Sequence, residues 1–187
     1  MNFNFEWINH IPKDHSIGDV QIRELFKWAS SIEGNAIEIG SFYGRSTVVI
    51  AAGLKIGSGG KVFAIDPHKN RYGSFEKCVN NINQSGFSDH VEIVRGKSED
   101  VLKSKTPKEL FQSNIGLLFI DGNHTYEGIK IDLQWIKLVN RGGVILFHDY
   151  SVNKYPGIVR AITEYQETHN TMSSLQLLGS MIIFKRI

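Results

Sequence analysis

Short apolar runs recur along this chain, each followed by a segment of helical periodicity. Alternation of that kind demands a parallel sheet covered by helices on both faces. Runs at 35–39, 61–65, 91–94, 115–120 and 144–147 predict five strands. Helices are predicted over 17–32, 46–54, 74–83, 98–103 and 125–139; in the last, Ile129, Leu133, Ile136 and Val139 share a face. Residues 103–113, with Pro107 and several charges, predict a surface connection, and Arg141-Gly142-Gly143 a turn into the fifth strand. Pro156 opens a helix over 157–168. Gly179-Ser180 then separates 175–178 from 181–184, a two-strand hairpin.

The 187 residues are expected to form a single domain over 1–187, with 1–33 as an N-terminal helical cap on a core of 34–187. A formal net charge of +2 and the lack of any block of like charge argue against nucleic acid or a membrane surface as partner. The one cysteine, Cys78, allows no intrachain disulfide and reads as a small helix residue. Neither a signal peptide nor an apolar run of about 20 residues is present, so a soluble, cytoplasmic protein is expected.

In such sheets ligands bind at the carboxyl ends of the strands, and this chain places acids there. Glu38 terminates strand one, Asp66 strand two, Asp121 strand four and Asp149 strand five; each alone could simply cap the next helix. After strand one the spacing Glu38-x-Gly40-x-x-x-Gly44 differs from the G-x-G-x-x-G of a dinucleotide site. Asp66 could accept both ribose hydroxyls of an adenine nucleoside, which suits NAD and S-adenosylmethionine alike. Glu38 favours the cationic sulfonium ligand, because a carboxylate would repel a pyrophosphate.

Three blocks carry a resemblance. They are Glu38-Ile39-Gly40-Ser41-Phe42-Tyr43-Gly44-Arg45-Ser46-Thr47, Phe119-Ile120-Asp121-Gly122-Asn123-His124-Thr125-Tyr126, and Gly142-Gly143-Val144-Ile145-Leu146-Phe147-His148-Asp149-Tyr150. With the helix turn Ile131-Asp132-Leu133-Gln134-Trp135, residues of about 34–150 resemble a class I S-adenosylmethionine-dependent methyltransferase, more narrowly methyltransferase family 24. The resemblance implies an α/β fold: a Rossmann-like, seven-stranded methyltransferase sheet, mostly parallel with an antiparallel C-terminal hairpin strand and helices on both faces. It also implies S-adenosyl-L-methionine as cofactor. Glu38, Gly40, Ser41, Gly44 and Ser46 would cradle its methionine part, Asp66 and His68 the ribose, and Gly96, Lys97 and Ser98 would border the adenine. Lys97 reads equally as a solvated surface residue.

The later blocks are similar to loops of catechol-type and macrolide-sugar O-methyltransferases, in which carboxylates after strands four and five hold a divalent cation. Asp121 and Asp149 match those positions, with His148 as a third ligand by position, and oxygens with one imidazole suit Mg²⁺ or Mn²⁺. Tyr150 stands where the catechol pattern has an amide ligand. His148 could instead bond a backbone carbonyl. His124 could take the proton from an acceptor hydroxyl beside Asp121, or simply hydrogen-bond Asp121 at a helix start. The implied reaction is O-methylation of a small molecule or sugar. N-methylation and a non-catalytic binding module are the alternatives. Residues 1–17 and 151–170, with Phe3, Phe5, Trp7 and Tyr155, would form a lid, an acceptor surface or a homo-oligomer contact, or close the core.

Overall fold

The computed structural model describes residues 5–12, 17–69 and 71–187. Phe3, named above for a lid, lies outside them. Seven strands form one sheet: β1 (Asn35–Ile39), β2 (Val62–Asp66), β3 (Val91–Arg95), β4 (Ile115–Ile120), β5 (Val139–Phe147), β6 (Met172–Leu178) and β7 (Met181–Arg186). Their order is β3-β2-β1-β4-β5-β7-β6. The first five run parallel, and β7 lies antiparallel to both β5 and β6. The chain winds outward from β1 to β3, then returns to set β4 beside β1. That reversal opens a crevice at the carboxyl ends of β1 and β4.

Period-two alternation sorts the strand side chains into two cores. Ala36, Val62, Leu117, Phe119, Val144, Leu146 and Ile183 face α1 (Asp19–Ser31), α2 (Arg45–Ile56) and α3 (Ser74–Ser85). Ile37, Phe63, Leu118, Ile145, Phe147 and Phe184 face the opposite layer, α4 (Ser98–Ser104), α5 (Lys108–Gln112), α6 (Tyr126–Asp132) and α7 (Pro156–Thr168). On α1, Ile22, Leu25, Phe26 and Ala29 form the buried stripe that packs on α2. The segment before α1 is tied to the same layer. Phe5 meets Phe26 edge to face and Trp7 packs beside it at a tilt, Trp7 also meets Phe87, and the buried Arg45 guanidinium donates to the carbonyls of Ile8 and Ile11. Phe5 and Trp7 therefore close the core rather than line a lid.

Three expected elements differ. The helix over 125–139 is α6 followed by a 3₁₀ segment, Leu133–Leu138, and Val139 already belongs to β5. Leu133, Ile136 and Val139 recur every three residues, and three residues per turn keep them on one buried face. Arg141-Gly142-Gly143 is not a turn between elements but a bulge inside β5. Ile115 pairs with Val139 and Leu117 with Val144, so the chain loops outward between them, with Gly142 at φ +82°. Residues 103–113 contain the short helix α5, which buries Leu110 and sets Phe111 against Trp135. Among the described residues no helix is long and apolar enough to cross a membrane.

Candidate active site

Gly40 follows β1 at φ +96°, a conformation glycine adopts without strain. A Cβ there would sit 2.1 Å from the Asp121 carbonyl oxygen. The missing side chain thus lets the loops after β1 and β4 touch at the crevice. Asp66 braces the same loop from β2. Its Oδ2 accepts the Phe42 N–H at 3.0 Å and its Oδ1 the His68 N–H at 2.7 Å. These strand ends surround a cavity of about 770 Å³, lined by Gly40, Asp66, His68, Lys97, Ser98, Asp121, His124, Asp132 and Asp149 among others.

Several residues expected in contact with a ligand stand behind that wall. Glu38 is fully buried beneath α2, where the Thr47 hydroxyl donates to it. Burial pushes its carboxyl up to about 8, against the lowering influence of Ser46 and Thr47. Ser41 is buried with its hydroxyl 3.4 Å from His68 Nε2, and Gly44 caps α2 at φ +83°. Ser46 is buried in the first turn of α2, and the Gly96 N–H donates to the Asp66 carbonyl. These groups shape the loop from behind. His68 does reach the cavity, although its ring is buried between Ser41 and Ser74; burial depresses its pKa.

At the β3 side the Ser98 hydroxyl donates to Asp132 Oδ1 at 2.5 Å and accepts from the Trp135 indole at 2.8 Å. Burial pushes Asp132 up to about 6, against the hydrogen bond from Ser98. The sequence hint for Asp132 was an acid on the buried stripe of α6, between Ile129 and Leu133.

The β4 and β5 ends converge on one rim. His124 Nε2 lies 3.5 Å from Asp121 Oδ1 and 3.3 Å from Asp149 Oδ2. From the protein side, His148 Nδ1 lies 3.3 Å from Asp121 Oδ1 and 3.5 Å from Asp149 Oδ1. Asp149 reaches this position at φ +55°, the left-handed region that Asp tolerates better than most residues. Burial alone would raise Asp121, but the two imidazoles carry it below its ordinary range. Asp121 lifts His124 against burial. Burial opposes protonation of His148, yet Asp121 and Asp149 hold it up to about 10.

Neither His124 Nε2 nor His148 Nδ1 has a well-formed hydrogen bond, although both atoms are buried. Donor atoms of Asp121, His124 and Asp149 lie within 4.8 Å of one another. Octahedral ligands at about 2.1 Å from a cation stand about 3 Å apart, so a small inward shift would seat Mg²⁺ or Mn²⁺. The set therefore fits a hard divalent cation. It differs from the expected trio, because the cavity-facing imidazole is His124, whereas His148 lies on the protein side with its Nε2 against Gln21 Oε1 at 3.2 Å. Gln21 carried no sequence signal for this contact, 127 residues away. The Tyr155 ring packs 4.7 Å from that of His124.

A sequence profile of methyltransferase family 24, described as a methyltransferase domain, matches residues 37–150. Solved structures share the architecture. The O-methyltransferase from Bacillus cereus in complex with SAH is 22% identical, with a TM-score of 0.73 over 92% of this chain and 84% of that one. TomG from Streptomyces achromogenes, an O-methyltransferase involved in tomaymycin synthesis and crystallised with SAM, is 18% identical, with a TM-score of 0.73 over 93% and 82%. The O-methyltransferase NovP is 17% identical, with a TM-score of 0.76 over 91% and 81%. At these identities the likeness is one of fold.

Proposed function

The chain belongs to methyltransferase family 24, and on that footing we propose that it transfers a methyl group from S-adenosylmethionine to a hydroxyl of a small-molecule or sugar acceptor. The observation that carries the O-methylation reading is the rim of Asp121, His124 and Asp149 beside the crevice, a site suited to an acceptor oxygen and a divalent cation. The cofactor assignment is supported by the carboxylate of Asp66 at the end of β2 and by the SAH and SAM bound to the structural relatives.

Methyl transfer from a sulfonium is an in-line displacement: the acceptor oxygen forms its bond to the methyl carbon as the carbon–sulfur bond breaks. The protein's contribution is position, exclusion of water and removal of the acceptor proton. Asp66 accepts the ribose hydroxyls while keeping its bonds to the Phe42 and His68 amides. Ser98 and Asp132 border the adenine. Asp121, His124 and Asp149 would hold the cation, whose chemistry there is to lower the pKa of the acceptor hydroxyl. Without a cation, His124 Nε2 is the atom that receives the acceptor's proton.

The test is calorimetric titration with S-adenosylhomocysteine, with and without Mg²⁺, and with NAD as control. An acceptor screen with methyl-labelled S-adenosylmethionine would follow. Saturable binding of the homocysteine product and not NAD is expected, with EDTA-sensitive labelling of hydroxylated acceptors. Binding of NAD alone would overturn the cofactor, and EDTA-insensitive labelling of amines would move the reaction to nitrogen.

A further inference from the structure

Gln21 lies on α1, outside the segment matched by the family profile, and its amide is the meeting point of three elements. Its Oε1 accepts the Gly18 N–H at 3.2 Å, and its Nε2 donates to the Leu178 carbonyl at 3.3 Å and approaches the Ser180 hydroxyl at 3.3 Å. A main-chain N–H can only donate and a carbonyl can only accept. Those two partners therefore fix which end of the amide is oxygen, a choice that is otherwise ambiguous. Oxygen faces His148, so the His148 Nε2 at 3.2 Å must be the donor.

We infer that Gln21 is a positioning residue that commits the Nε2 proton of His148 to the N-terminal helix and so turns Nδ1 onto Asp121 and Asp149. From that side Nδ1 faces Oδ1 of both acids, while Oδ2 of Asp149 is left toward His124 and the cavity. The path runs from α1, through one imidazole, to the two carboxylates of the rim. The turn between β6 and β7 holds the other end of the amide, and the Ser180 carbonyl also accepts the Tyr150 N–H at 2.8 Å. Cap, hairpin and rim are thereby one polar assembly. An outer-shell partner that orients an imidazole and its carboxylates typically changes activity or metal affinity by 10–100-fold when removed.

The test uses protein labelled with ¹⁵N-histidine and long-range ¹H–¹⁵N correlation, with His148 assigned from the His148→Gln spectrum. In the wild type, His148 Nε2 should carry a slowly exchanging proton. Gln21→Leu should lose that signal, while Gln21→Glu, which keeps the acceptor but not the donor to the hairpin, should retain it. Turnover should fall about tenfold or more in Gln21→Leu, with S-adenosylhomocysteine affinity unchanged. An unprotonated Nε2 in the wild type would overturn the inference, as would an unaltered signal in Gln21→Leu. If Gln21→Leu does not fold, the wild-type and Gln21→Glu spectra decide. Only the turnover arm rests on the proposed methyl transfer. A protein that showed the Nε2 proton yet bound no homocysteine product would sink that reaction and leave the positioning role standing.

Discussion

Oδ2 of Asp66 accepts the main-chain N–H of Phe42 at 3.0 Å, so the acid that ends β2 also pins the loop that follows β1. Its other oxygen holds the His68 N–H at 2.7 Å. One carboxylate thus ties two cavity walls together and still offers lone pairs to a ligand. Charge-assisted hydrogen bonds contribute about 1.5–3 kcal/mol each. Asp66→Ala should therefore weaken S-adenosylhomocysteine binding by more than about tenfold in calorimetry. Asp66→Asn keeps one acceptor oxygen and should fall between the two. Wild-type affinity in Asp66→Ala would remove the ribose assignment.

Gly40→Ala should be destabilising out of proportion to one methyl group. The new Cβ would meet the Asp121 carbonyl oxygen at 2.1 Å, at a φ of +96° that alanine avoids. Turning that carbonyl aside would not relieve the contact, because the Gly122 Cα lies 2.9 Å from the same Cβ position. Backbone strain plus a steric clash of this kind costs on the order of 2–4 kcal/mol. A fall in thermal midpoint of several degrees is expected. Gly59→Ala is the control, since its added Cβ would meet nothing within 4 Å at a comparable φ of +72°.

Glu38 makes the stability of the free protein depend on pH. Its native carboxyl titrates near 8, raised from an ordinary 4.5 by burial. Between those values the native state holds a proton that the unfolded chain has lost. Stability should therefore be greatest, for this group, below about pH 4.5, and should decline as pH rises toward 8. The integrated loss is on the order of a few kcal/mol. Glu38→Gln cannot ionise and should flatten that slope, read as the difference in urea midpoint between pH 5 and pH 8. An unchanged slope would mean that Glu38 is ionised in the folded protein.

The parallel strands and the acids at their carboxyl ends were legible because their signals are local. Asp66, Asp121 and Asp149 each stand at or just after the end of an apolar run, and the Gly179-Ser180 turn lies between two others. Glu38 stands behind the cavity wall, and alternation holds the reason. It shares a face with Ala36, the face that packs on α2, so its carboxyl meets Thr47 rather than the cavity. The break in the 125–139 helix was harder to foresee, because apolar positions at Ile129 and Leu133 fit an α-helix while those at Leu133, Ile136 and Val139 fit a 3₁₀ turn equally well. The contact of Gln21 with His148 joins an N-terminal helix to the end of β5, and nothing in either neighbourhood announces the other.

His124 gives the last prediction, because one nitrogen there answers to two chemistries. Asp121 raises the pKa of His124 above its ordinary 6.5, with burial opposing. In metal-free protein, its Cε1–H resonance should titrate above pH 6.5, and a folded pKa raised in this way adds stability that is present below pH 6.5 and lost as pH climbs through the folded value. Asp149→Asn should move that titration down, since the Asp149 oxygen 3.3 Å away favours the imidazolium. A divalent cation competes with the proton for the same lone pair, so Mn²⁺ should broaden the His124 resonance, and diamagnetic Mg²⁺ should shift its titration to lower pH. Mn²⁺ affinity should fall at least about tenfold in His124→Ala and in Asp149→Asn, since losing a ligand should cost no less than losing an outer-shell partner. The same Mn²⁺ affinity in all three proteins would place the cation away from this rim and leave His124 as the base that takes the acceptor's proton.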